Sequence, residues 1–217
     1  TMTEAVTTAG AWHGDTQLRE RVIASLEDDW RLDRIAQGNY RRGEKGCHLG
    51  CLLRPFGDSD DHKGSWHQDA QELLGIPQRV AHWLEAVFEG LPEDESRAWV
   101  VESAEAIAVG ADLSLSHHHL AAWLLSNESP SAAGNGHAAV VDVIREVRRL
   151  HLFAAAGGSV TAEQWSAPIA ALSPRAAMRA TEWAATRATE WSDIAKQSLE
   201  IFRSSPAVTL TKGNDDD

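Results

Sequence analysis

Residues 77–107 read "PQRVAHWLEAVFEGLPEDESRAWVVESAEAI", and this stretch decides the fold class. Val80, Trp83, Leu84, Val87 and Phe88 recur at three- and four-residue spacing, which puts them on one face of a helix. Pro77 suits the first position of that helix and Gly90 the residue where it stops. Pro92 then opens a second helix in the same way, with Glu93, Asp94 and Glu95 favourably placed in its first turn. Trp99, Val100, Ser103 and Ile107 line its inner side. Two amphipathic helices joined by so short a link predict helix-on-helix packing.

The same punctuation extends in both directions. Leu18, Val22, Ile23 and Leu26 predict a helix over 16–29, and Leu32 and Ile35 carry the period on through Trp30–Ala36, up to the break at Gly38-Asn39-Tyr40. Ser65 and Gln68 have the form of a capping box, and the helix they open is expected to stop at Gly75. Ser114 or Ser116 can cap a helix reaching Leu125. "SNESPSAAGNG" (126–136) reads as a loop. A long helix follows from His137 to about Ala156, with Val140, Val143, Ile144, Val147, Leu150 and Phe153 on one face, and Gly157-Gly158 ends it. Thr161 and Gln164 make a second capping box. Ser173-Pro174 opens a last helix that can run to Phe202. No stretch alternates well enough to predict a strand. The expectation is a single all-α domain, an irregular bundle of about eight helices. It comprises a main bundle over 12–156 and a C-terminal helical hairpin over 159–203, with disorder expected at 1–11 and 204–217.

Composition narrows the function classes. The 217 residues carry a formal net charge of −12, from 32 acidic against 20 basic side chains. A chain so acidic gains nothing from phosphate neutralisation, so neither nucleic acid nor an anionic membrane is an expected partner. No segment approaches the roughly 18 uninterrupted apolar residues of a membrane helix. "TMTEAVTTAGAWHGD" has no basic start and no long apolar run, so no secretory signal is expected. Two cysteines cannot build a disulfide framework for this length, which points to reduced thiols and a cytoplasmic location. Nine tryptophans, about one per helix, read first as core packing. "RATEW" occurs at 179–183 and again at 187–191, a shift of eight that sets Trp183 and Trp191 on nearly the same helix face.

"KGCHLGCLLR" (45–54) holds both cysteines. The spacing is C-x3-C, which on a helix stacks Cys47 and Cys51 one above the other and suits a disulfide poorly. Gly46 and Gly50 beside them suit close helix packing. A metal reading competes: Cys47, Cys51 and His67, with His62 or His48 as a further ligand, are residue types that bind Zn2+. His82-x-x-Glu85 is a lone i,i+3 pair able to ligate metal inside a bundle. "DSDDHKG" (58–64) fails the calcium-loop pattern, because its glycine falls one place late. His117, His118 and His119 point about 100° apart on a helix and cannot all bind one ion. No phosphate-binding glycine loop and no nucleophile elbow is present.

Several phrases carry a resemblance. "KGCHLGC", "ELLGIP", "FEGLP", "VGADLS" and "AAWLL" resemble a group of uncharacterised bacterial and prophage-associated proteins. In these a G-C-x-x-G-C segment is followed by a His before L-G-I-P, then by F-E-G-L-P and V-G-A-D-L, with an Ala-rich tail. The matching positions here are Gly46, Cys47, Gly50, Cys51, His67, Leu74–Pro77, Phe88–Pro92 and Val109–Leu113. The tail "RATEWAATRATEW" departs from the pattern, being shorter and poorer in alanine. The resemblance brings no activity with it, but it implies that Cys47, Cys51 and His67 are the members of any site. Two function classes follow: a non-enzymatic helical protein that binds another protein and needs no cofactor, or a zinc- or thiol-dependent protein using Cys47, Cys51 and His67.

Overall fold

A computed structural model describes residues 10–38, 40–57, 66–126, 138–170 and 191–208. The chain is an all-α, multi-helix protein. Its helices are α1 (Thr16–Arg31), α2 (His48–Leu52), α3 (Trp66–Leu74), α4 (Gln78–Gly90), α5 (Glu93–Ala106), α6 (Ser116–Leu124), α7 (Ala138–Ala155), α8 (Ala162–Ala170) and α9 (Trp191–Ser204). The Pro77–Ile107 stretch folds as its pattern predicts. Val80, Leu84, Val87 and Phe88 of α4 and Trp99 and Val100 of α5 are buried together, and the Trp99 indole N–H donates to the Leu84 carbonyl at 3.1 Å.

The core gathers around the shortest helix. All five residues of α2 are buried, and α1, α3, α4 and α5 pack around it. Such enclosure requires glycine at position 50, since a Cβ there would overlap the Tyr40 carbonyl. One charge is buried in the same region: Asp29, 1% exposed, is paired with Arg54 at 2.7 Å. On its other side the core is closed by α9, which packs on α4, α5 and α6, with Trp191 lying over Gly90 and Phe202 fully buried.

The chain departs from the sequence reading in several places. α1 stops at Arg31, because Asp33 takes a left-handed φ of 55°. Ile35 then reaches the core in extended form, bridged to Gly46, so Leu32 is left 54% exposed. A small antiparallel hairpin, β1 (Arg41–Arg42) with β2 (Lys45–Gly46), turns at Gly43; two-residue strands are too short to show alternation. Gly10 and Ala11, expected to be disordered, run beside Gly110 and Ala111 through backbone hydrogen bonds. They deliver Trp12, wholly buried, to donate its indole N–H to the Ile107 carbonyl at 2.9 Å. Arg19 donates to Glu105 and Ile107 carbonyls as well, so the orphan carbonyls at the end of α5 are met by side chains of the N-terminal segment. Residues 204–208, expected to be frayed, bond back to Gly110 and Asp112.

α7 turns its Leu150 and Ala154 inward and packs between α6 and α8. Phe153, expected on its inner face, is 50% exposed and lies over Gly158. The capping box of α8 forms as read, with the Thr161 N–H donating to Gln164 Oε1 and the Gln164 N–H to Thr161 Oγ1. The Ser173-Pro174 helix start, Ser65, the 58–64 loop with His62, and the "RATEW" repeat apart from Trp191 lie outside the described residues, as does the middle of the expected hairpin over 159–203. Among the described residues no helix is long and apolar enough to cross a membrane.

Candidate metal centre

The link Gly75-Ile76-Pro77 folds α4 back onto α3. Gly75 holds a φ of 67° there and sits against the Gly10 carbonyl where a Cβ would not fit. The fold-back sets His67 of α3 beside His82 and Glu85, which share a face of α4 through their i,i+3 spacing. One ligand atom from each of these three lies within 4.8 Å of the other two, and among the described residues they are the one such set of three. Tyr40, from the segment before β1, and Cys47, which caps α2, complete the surroundings.

Glu85 is the hub. His67 Nε2 stands 2.7 Å from Glu85 Oε2, the Tyr40 hydroxyl donates to the same oxygen at 3.4 Å, and the Cys47 thiol faces Glu85 Oε1 at 4.0 Å. The His67 and His82 rings stack, with centroids 3.4 Å apart and planes 20° from parallel. His67 is buried, Glu85 half-buried and His82 exposed, so the cluster has a closed end and an open one. Tyr40 is stacked flat on Trp66, at 5.1 Å and 9°.

The electrostatics favour the metal-binding form of His82. Partial burial and then the neighbouring His67 hold His82 below its ordinary pKa, against the pull of Glu85. A neutral imidazole is the ligating form. Burial first, and then the Glu85 charge, push the Tyr40 phenol up to about 12. Burial likewise lifts the Cys47 thiol to about 12, and Glu85 adds to the effect. Cys47 is therefore a protonated thiol pointing at a carboxylate; only a cation beside it would release the proton. Donor atoms sharing one zinc ion lie about 3.3 Å apart. The ligand atoms of His67, His82 and Glu85 lie within 4.8 Å of one another, so sharing an ion would draw them closer.

The three residues singled out from the sequence divide. His67 is in the cluster and Cys47 adjoins it. Cys51 is buried elsewhere, with Sγ 3.4 Å from the Gly46 carbonyl and 4.0 Å from that of Arg34. Burial pushes its thiol up to about 12, reinforced by the Asp29 charge and opposed by Arg54. Both cysteines are free. His48 is turned away from the centre: it is 1% exposed, with Nε2 2.9 Å from Ser103 Oγ. The His82-x-x-Glu85 spacing was legible in sequence, but Tyr40 was not. Comparisons with protein-family models, with curated proteins and with solved structures found no match.

Proposed function

We propose that this chain is a helical protein that binds a divalent transition metal of the zinc class through His67, His82 and Glu85. The observation that carries the reading is the convergence of these three ligand atoms within 4.8 Å from two helices. Two imidazoles and a carboxylate suit zinc, and three protein ligands leave a coordination position open, as in catalytic rather than structural zinc sites. A metal held there would supply a Lewis acid or an activated water at the exposed His82 end. Tyr40 and the Cys47 thiol, both donors toward Glu85, orient the carboxylate in the manner of outer-shell partners. Cys51 has no part in this reading. A cytoplasmic location accords with two free, buried thiols.

Elemental analysis of protein purified without a histidine tag tests it. One equivalent of zinc is expected, lost in His82→Ala and Glu85→Gln and kept in Cys51→Ser. Cys47→Ser separates an open site from a closed one: zinc is retained if Cys47 only orients Glu85 and lost if it is a fourth ligand. Metal-free protein that takes up no zinc on titration defeats the proposal.

A second reading, a non-enzymatic protein that binds another protein, draws on one surface. Trp30 is 58% and Leu32 54% exposed, beside a hollow of about 330 Å³ lined by Glu27, Trp30, Arg31, Ala98, Val101 and Glu102. Trp30→Lys, with unchanged fold and zinc content, is expected to abolish any self-association seen by sedimentation.

A further inference from the structure

A second cluster lies apart from the metal centre, between α4, α6, α7 and α8. Arg79, His117, His118, His151, Ala154, Gly158, Val160 and Trp165 line a cavity of about 490 Å³, within the range of small-molecule sites. The chain as a whole carries a net charge of −12. Yet the described residues lining this cavity include one guanidinium, three imidazoles and no carboxylate.

The arrangement is built from side chains that hold one another. Arg79 Nη1 donates to His117 Nε2 at 2.9 Å, which fixes that nitrogen as an acceptor. His118 Nδ1 and His151 Nδ1 stand 2.9 Å apart, so one donates and the other is bare. Trp165 floors the group: its ring is parallel to His118 within 1° at 5.9 Å and lies 4.6 Å from His151. Among the described residues the three imidazoles here do not form a set of three converging ligand atoms. His117 is held by Arg79 and by the Ser114 backbone, which leaves Arg79 and the His118–His151 pair, beside a flat aromatic surface, to meet a ligand that brings acceptors.

We propose that this cavity binds a phosphomonoester carried on a flat ring, with Arg79 and the imidazoles of His118 and His151 on the phosphate, His117 holding Arg79 in place, and Trp165 against the ring. A phosphomonoester offers three acceptor oxygens and up to two negative charges, matched to a guanidinium fork and imidazole N–H groups. Trp165 supplies the apolar face for a planar group. The charge balance adds a pH signature. His117 and His151 are each held down to about 4, by burial first and then by repulsion between the charged forms of the rings, His118 foremost for both, with the Ser114 backbone hydrogen bond opposing it at His117; His118 is lowered by burial, Arg79 and His119. The charged groups facing these rings are thus Arg79 from α4, His119 from α6 and the rings themselves, while α8 contributes Trp165. A bound dianion reverses the repulsion and raises all three, so binding takes up protons and strengthens as pH falls.

Calorimetric titration of the full chain in EDTA and chloride buffer tests this, with phenyl phosphate, inorganic phosphate and benzyl alcohol as probes. Expected is one saturable site for phenyl phosphate, about tenfold tighter than inorganic phosphate and about tenfold tighter at pH 6 than at pH 8, with no binding of benzyl alcohol. Arg79→Gln and His151→Gln should each weaken it about tenfold, with circular-dichroism melts showing an intact fold. Trp165→Leu should bring phenyl phosphate down to the level of inorganic phosphate. Cys51→Ser should leave phenyl phosphate binding unchanged. No phenyl phosphate binding at pH 6, or binding indifferent to both Arg79→Gln and His151→Gln, overturns the proposal. So does zinc bound in EDTA-free buffer that disappears with His118→Gln.

Discussion

His48 makes the acid stability of the protein a measurable property of one side chain. The ring is 1% exposed and burial lowers its pKa from 6.5 to about 3. The Ser103 hydroxyl donates to the Val100 carbonyl, so the His48 Nε2–H donates to Ser103 Oγ. Nδ1 is then a bare lone pair, with no partner among the described residues. Protonating it would place a cation in the core with nothing to accept its hydrogen. Because the folded pKa lies below the unfolded one, protons favour the unfolded chain. His48 contributes its full share of stability above pH 6.5, and that share drains away as pH falls toward 3. Between pH 7.5 and 5 the loss from this one ring is about 2 kcal/mol, at 1.36 kcal/mol per decade of proton activity. It is insensitive to whether the folded pKa is 3 or 4, since both lie below the window. Urea unfolding in EDTA at the two pH values measures it, in the wild type and in His48→Gln, which keeps an N–H for Ser103 and does not titrate. The variant should lose about 2 kcal/mol less on acidification than the wild type. Equal losses in the two proteins would refute the assignment of His48 as a neutral, buried ring.

Other outcomes follow from the packing and the metal centre. Zinc at a hundredfold excess over its dissociation constant should raise unfolding free energy by about 2.7 kcal/mol, an increment that EDTA removes and that His82→Ala lacks in calorimetric scans. Gly50→Ala should destabilise by about 3 kcal/mol or more, because the new methyl overlaps the Tyr40 backbone and overpacking is relieved only by moving the chain; denaturant midpoints report it. Arg54→Met strands the Asp29 carboxylate in the core and should cost about 3–5 kcal/mol, read from denaturant midpoints. Cys47 and Cys51, both buried with thiols near 12, should resist disulfide-exchange reagents in the native state at pH 8 and react at once in urea.

The helices were legible because α4 and α5 repeat apolar residues at helical spacing and are bounded by Pro77, Gly90 and Pro92. α1 was overextended for the same reason. Leu32 and Ile35 keep the period, and nothing local reveals that Asp33 turns left-handed and Ile35 pairs with Gly46. The hairpin at 41–46 was invisible, since two-residue strands carry no pattern. At the candidate metal centre the chemistry of each residue was readable but their meeting was not. His82 and Glu85 share a face by spacing alone, while His67 joins them only because Gly75 lets α3 and α4 close on each other. Cys47 and Cys51, adjacent by spacing, face different neighbours, because Cys47 is the extended cap before α2 and only Cys51 lies within the helix.

Tyr40 lies flat on Trp66 while its hydroxyl rests on Glu85, and it is the sole tyrosine in 217 residues. Two parallel rings share their electronic transitions, and the near-ultraviolet dichroism of such a pair depends on the angle between them. Under the proposed metal binding, an ion that drew Glu85 toward His82 would deprive the phenol of its acceptor. The Tyr40–Trp66 pair would then be an intrinsic optical reporter of that event, followed without a label and silenced by Tyr40→Phe.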